Sequence, residues 1–100
     1  MFALLLEIGK LSDSYELLRK NAECRGQIRK KLCRGDCPYL VNRDVVGVAN
    51  CYKLLREDSD CGEKWFEVGD DLCMCYLIEQ VECNFVSDGG EDLYKIGKSI

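Results

Sequence analysis

Histidine is absent from the 100-residue chain. Its absence removes the commonest general base and the commonest metal ligand, and most hydrolytic triads with them. Proline occurs once, at Pro38, so little in the chain breaks regular structure. No apolar run approaches the ~18 residues of a membrane span. The opening stretch MFALLL reaches the acidic Glu7 too soon to supply the roughly 7–15-residue core of a signal peptide. Nothing resembles a phosphate-binding loop, and no low-complexity linker divides the chain, so one domain is expected.

Cysteine, by contrast, is abundant. Cys24, Cys33, Cys37, Cys51, Cys61, Cys73, Cys75 and Cys83 make 8 in 100 residues. A chain of this size buries only about 60–70% of the surface its unfolded form exposes, and covalent bridges offset that shortage. An even, dense cysteine set therefore predicts a disulfide framework formed in an oxidising compartment. A mature secreted domain would fit, as would a chain that keeps Met1 and is oxidised outside the secretory route.

The net charge of −4 conceals a division. Residues 19–34 carry Arg19, Lys20, Arg25, Arg29, Lys30, Lys31 and Arg34, whereas acids dominate from Asp44 to Asp92. A basic run can meet nucleic acid or an acidic lipid surface. The simpler reading is a solvated face that also meets the acidic half or a neighbouring subunit.

Periodicity favours helices. Met1, Leu4, Ile8 and Leu11 fall at helical spacing, and Asp13 with Glu16 forms a capping-box arrangement. Tyr15, Leu18, Ala22, Ile28 and Leu32 extend an apolar stripe to about residue 33. Gly35 and Pro38 should stop it. Asn42 is the next cap candidate, ahead of a stripe of Val45, Val48, Ala49, Tyr52 and Leu55, although Val45, Val46 and Val48 alone would suit a strand. Gly69-Asp70-Asp71 should open a last helix containing Leu72, Tyr76, Leu77, Gln80 and Val81. These readings predict an all-α fold: amphipathic and basic helices over 1–34, a helical hairpin over 43–85 and a tail over 86–100.

The cysteine spacing suits such a hairpin. Cys51 and Cys61 bracket nine residues, Cys73 and Cys83 bracket another nine, and eleven lie between the pairs. Ten residues of helix advance about 1,000°, which returns each pair to within ~80° of one face. Two such helices, antiparallel, would form the bridges Cys51–Cys83 and Cys61–Cys73. Residues 51–83 thus resemble the twin Cys-x9-Cys (coiled-coil-helix-coiled-coil-helix) family. The resemblance implies import into the mitochondrial intermembrane space and oxidation there. It also implies a non-catalytic role as an accessory subunit or assembly factor of an inner-membrane complex, with other protein subunits as partners, a lipid surface as a peripheral contact, and no nucleic acid. Leu54 and Leu55, or Tyr76 and Leu77, would serve as the family's docking signal.

Cys24, Cys33 and Cys37 are expected to join the framework, Cys33 bridging Cys37 locally or Cys37 reaching Cys24. Cys75 lies about 200° around its helix from Cys73 and would point elsewhere. Zinc held by Cys33, Cys37, Cys73 and Cys75 is chemically allowed, but the spacings are unusual, and neither a metal nor any other cofactor is expected. The acid pairs Glu57-Asp58 and Asp70-Asp71 fit helix starts and solvated surface better than a catalytic carboxylate pair, so no enzyme is expected. Trp65-Phe66, Tyr52 and Tyr76 read as hairpin core or a partner contact.

One motif supports a different function. Arg34-Gly35-Asp36 lies between Cys33 and Cys37, and an exposed RGD turn constrained by cysteines is an integrin-binding device. The alternative expectation is therefore a secreted, cysteine-rich effector that binds a cell-surface receptor through Arg34, Gly35 and Asp36.

Overall fold

The computed structural model describes residues 15–80 and 82–97. The expected amino-terminal amphipathic segment over 1–11, the cap candidate Asp13 and Val81 lie outside them. The chain forms β1 (Tyr15–Arg19), β2 (Ala22–Cys24), β3 (Arg29–Arg34), α1 (Val45–Arg56), β4 (Cys61–Gly69), β5 (Leu72–Leu77), β6 (Phe85–Ser87) and β7 (Asp92–Ile96). Five strands make an antiparallel sheet in the order β1-β7-β4-β5-β3, and β2 with β6 makes a separate two-stranded ribbon.

The fold is thus mainly β, and the all-α expectation is overturned. The basic stretch 19–34 is strand and turn, not helix. The expected last helix is β5, and the expected tail over 86–100 contributes the ends of β6 and all of β7. The reason lies in β5, whose run LCMCYL is buried almost throughout. A strand covered on both faces loses its alternation and reads as a continuous apolar stretch, which periodicity alone cannot separate from a helix.

Alternate residues of the sheet face two different layers. On one side Phe66, Val68, Cys73 and Cys75 pack against Cys51, Tyr52 and Leu55 of α1. Tyr15, Tyr52, Phe66 and Tyr94 form an aromatic cluster here, with Phe66 stacked on Tyr94 at 5.3 Å between centroids. On the other side Tyr76 and Leu93 pack with Ala22 and Cys24 of the ribbon, and Trp65 meets the edge of Tyr76. Tyr52 and Phe66 therefore lie in one core and Trp65 and Tyr76 in another, on opposite faces of one sheet.

The helix is the element the sequence shows most plainly. Its buried face, Gly47, Val48, Cys51, Tyr52 and Leu55, repeats at helical spacing, and Lys53 and Arg56 occupy the last turn, where cations suit the helix dipole. The N-cap is Asp44, whose Oδ1 accepts from the Gly47 N–H at 2.8 Å, and not Asn42, whose Oδ1 accepts from the Asp44 N–H one step earlier. Gly47 is obligatory for space: a Cβ there would lie 2.2 Å from the Asn42 backbone nitrogen.

All eight cysteines are bridged, as Cys24–Cys83, Cys33–Cys37, Cys51–Cys73 and Cys61–Cys75. The expected pairs Cys51–Cys83 and Cys61–Cys73 do not form. Cys51 alone stands on a helix. It meets Cys73 across the helix–sheet interface, while Cys61 and Cys75 join neighbouring strands. Cys83 precedes β6 and pins the ribbon through Cys24. Cys75 does not point away from Cys73 as on a helix. It lies two residues on along a strand and so faces the same layer. The four cysteines weighed as a zinc set are divided among three bridges.

Loop closure by Cys24–Cys83, separated by 59 residues, is worth roughly 4 kcal/mol in the chain-entropy model, and the short Cys33–Cys37 closure about 2 kcal/mol. Peptide mapping of the non-reduced protein, with cyanogen bromide cleavage after Met74 to part Cys73 from Cys75, is expected to recover Cys51–Cys73 and Cys61–Cys75 in separate fragments; recovery of Cys51–Cys83 would contradict this fold. Gly47→Ala should lower stability by about 2 kcal/mol or more in chemical denaturation, since the Asn42 backbone has to move.

Candidate functional site

Two polar constellations stand out: an exposed loop at the end of β3 and a buried ion cluster beneath the ribbon.

The loop begins where β3 ends. Cys33 is buried in the helix-side core, with 6% of its surface exposed, and Arg34 pairs with Leu72 of β5. Gly35 adopts φ +75°, a left-handed conformation open to glycine at little steric cost, so the chain turns back sharply. The Cys33–Cys37 bridge closes the turn with a Cα–Cα distance of 5.0 Å. Hydrogen bonds fasten it to the two-residue turn between β4 and β5: the Gly35 N–H donates to the Asp71 carbonyl at 2.8 Å, and the Cys37 N–H to Asp71 Oδ1 at 3.3 Å. Asp71 itself has φ +51°, a conformation short polar side chains tolerate. Within the loop, Asp36 Oδ1 accepts from the Arg34 N–H at 3.0 Å.

Arg34, Gly35 and Asp36 are all exposed, and among the described residues the Arg34 guanidinium has no carboxylate partner. The structure thus brings the three residues of the sequence motif together on one projecting, covalently closed turn. Gly35 does end the basic segment, but the segment it ends is a strand.

The second constellation centres on Arg29. Its Nη1 lies 2.8 Å from Glu67 Oε1, 2.9 Å from Glu23 Oε1 and 4.0 Å from Glu91 Oε1. Glu67, on central strand β4, is completely buried. Its other oxygen accepts from the Tyr76 hydroxyl, which in turn accepts from the Cys24 N–H at 2.8 Å. β2, β3, β4 and β5 are thereby joined by one polar network. Sequence reading passed over it, because an acid within a strand looks like any surface acid until the covering layer is known.

Burial pushes the Glu67 carboxyl up to about 8, against the pull of Arg29 and with the help of Glu91 and Glu23. Burial, together with a hydrogen bond and charge repulsion from Asp88, also raises Glu91. The Gly90 N–H chiefly lowers Asp88, whose carboxylate it stabilises. Ligand oxygens of Glu23, Glu67 and Asp88 come within 4.8 Å of one another, close enough for a divalent ion. Arg29 already supplies positive charge there, so the cluster is read as a structural clamp. Two further cations of the basic run have partners elsewhere: Lys30 pairs with Asp58 and Asp60, and Arg19 lies over the Phe85 ring.

No protein-family model, no curated protein and no solved structure matches the chain. Fold and site together define a small β domain with four disulfides, carrying a cysteine-closed RGD loop at one end of its sheet.

The clamp sets a pH dependence. Folding raises the Glu67 pKa from its ordinary 4.5 to about 8, so the folded state holds the proton more tightly than the unfolded state. That contribution is full below about pH 4.5 and is lost as pH rises through 8, at a slope of at most about 1.4 kcal/mol per pH unit. Urea denaturation of the wild type should therefore show falling stability between pH 5 and 8.5. Glu67→Gln, which keeps an acceptor for Arg29 but does not titrate, should flatten the profile.

Proposed function

We propose that the chain is a disulfide-stapled binding module of an extracellular or otherwise oxidising compartment, and that it engages an integrin through Arg34, Gly35 and Asp36. The observation that supports this reading is the geometry of the loop. RGD is exposed, closed by its own disulfide and tied at two backbone positions to the β4–β5 turn. Such a loop loses little conformational entropy on binding, and preorganisation of this kind raises affinity.

The roles divide simply. The Asp36 carboxylate reaches the receptor's metal ion as a hard oxygen ligand. The Arg34 guanidinium, unpaired among the described residues, offers a planar fork to a receptor carboxylate. Gly35 lets both side chains leave one tight turn. The module needs no catalysis: it occupies a receptor site and so promotes or blocks adhesion. The expectation of an intermembrane-space subunit depended on a helical hairpin, and with the hairpin absent nothing in the fold supports that compartment.

Immobilised wild-type protein should bind a purified RGD-recognising integrin ectodomain in Mg²⁺ buffer. Binding should be lost on addition of EDTA, and a linear RGD peptide should compete. Asp36→Glu retains the charge but lengthens the side chain, and should weaken binding at least tenfold. Equal binding by wild type and Asp36→Glu, or none by wild type, would sink the reading.

A further inference from the structure

The RGD turn alone is too small to account for a specific interface. Such interfaces cover roughly 800 Å² on each partner, about 20–30 residues a side, whereas the turn offers three exposed residues. A receptor seated on Asp36 must also cover a neighbouring surface, and the loop has two neighbours. One is the β4–β5 turn, Asp70-Asp71. Asp71 already accepts hydrogen bonds that hold the loop, and covering the Asp70 and Asp71 carboxylates with a receptor surface costs desolvation energy. The other neighbour is apolar.

The chain leaves Cys37 through Pro38, Tyr39 and Leu40 and reaches α1 at Val45. Four of the large hydrophobic side chains on the surface fall in this short stretch: Tyr39 (42% exposed), Leu40 (58%), Val45 (85%) and Val46 (57%). Two contacts place the loop segment against the helix. Lys53 Nζ lies over the Tyr39 ring at 5.2 Å, and Asn50 Nδ2 donates to the Leu40 carbonyl at 2.7 Å. Val46, Asn50 and Lys53 follow one another at i, i+4 and i+7 along a single helix face. Tyr39, Leu40 and Val46 are therefore parts of one fixed surface and not three scattered exposures. Its backbone is held from below, where the Asp71 N–H donates to the Val41 carbonyl at 2.7 Å. The same aspartate thus anchors both the RGD turn and the segment that leads into the apolar surface.

We propose that Tyr39, Leu40 and Val46 form the second half of the docking surface, an apolar shelf that packs on the integrin beside the metal-binding pocket that receives Asp36. The proposal rests on the RGD reading above and extends it. Asp36 supplies the ionic contact common to RGD ligands, and the shelf selects among receptors by the apolar surface they offer next to it. A rigid aromatic at such a place is a natural anchor. The Lys53 stem and Asn50 hold the shelf in position before binding, which limits the ordering cost.

The test compares four variants against one purified integrin ectodomain in Mg²⁺, with folding checked by disulfide mapping and circular dichroism. The double variant Leu40→Asp/Val46→Asp charges the shelf at two exposed positions and should raise Kd at least tenfold, mainly through faster dissociation. Tyr39→Ala removes a half-exposed surface ring with its Lys53 contact and keeps the experiment decisive if the double variant folds poorly; it should raise Kd about threefold or more. Ile78→Asp charges an exposed apolar side chain at the opposite end of β5 (64% exposed) and should bind like wild type. Asp36→Glu should lose binding. If Asp36→Glu loses binding while both shelf variants match wild type, the RGD reading stands and the shelf is overturned. If Ile78→Asp weakens binding as much as the shelf variants do, the shelf is also overturned, since any added charge would then suffice. If Asp36→Glu binds normally, both proposals fall together.

Discussion

Strand β5 is the member on which the other elements depend. Its alternate residues Cys73 and Cys75 leave one face, the first to the helix and the second to the start of β4. On the other face Tyr76 packs against the ribbon, and Met74 is buried as well. Two covalent bonds from one short strand thus fix the helix over the sheet and set the β4–β5 pairing. That pairing is irregular between Cys61 and Phe66, and the Cys61–Cys75 bridge spans the irregular stretch. In a chain of 100 residues, apolar burial alone leaves a narrow margin. Cross-links placed at the centre constrain every layer at once.

The ribbon side of the sheet is held by different means. Cys24–Cys83 supplies the covalent tie, but much of the rest is polar. Glu67, Arg29, Glu23 and Tyr76 exchange hydrogen bonds in and around a buried position. No buried side-chain nitrogen or oxygen among the described residues lacks a partner. A half-satisfied network there would cost more than an apolar core, so the cluster gives the ribbon one definite seat. Arg43 does similar work at the far end of β7, donating to Asp92, Asn21 and the Gly89 carbonyl.

Parts of this arrangement were legible beforehand. The spacing of Val48, Tyr52 and Leu55 marked the helix, because only one of its faces is covered and the 3.6-residue period survives. The oxidised state of the cysteines followed from their number, and the position of a sharp turn followed from Gly35. The strands were hidden for separate reasons. β5 is covered on both faces, so its pattern carries no period. In Tyr15–Arg19, Tyr15 and Leu18 fall at the i, i+3 spacing of a helix stripe, while Leu17 between them is 43% exposed, as an edge strand permits. The cysteine pairing was misassigned because equal spacings were referred to helical geometry, whereas Cys51 on the helix meets Cys73 on a strand, Cys61 meets Cys75 across two strands, and Cys83 reaches back to Cys24. The burial of Glu67 left no trace in the sequence, since it depends on a ribbon built from segments more than fifty residues apart.

The position of the Cys33–Cys37 bridge has a mechanical consequence. A tensile load applied at Asp36 cannot unravel the turn, because the bridge joins its two ends and passes the force to Cys33. From there it enters β3 and is shared along the β3–β5 ladder, and β5 is bolted to the helix and to β4. The residues after Cys37 are relieved of the pull, and the strain spreads into the most cross-linked part of the molecule. The loop is thus built to carry load at its tip without opening.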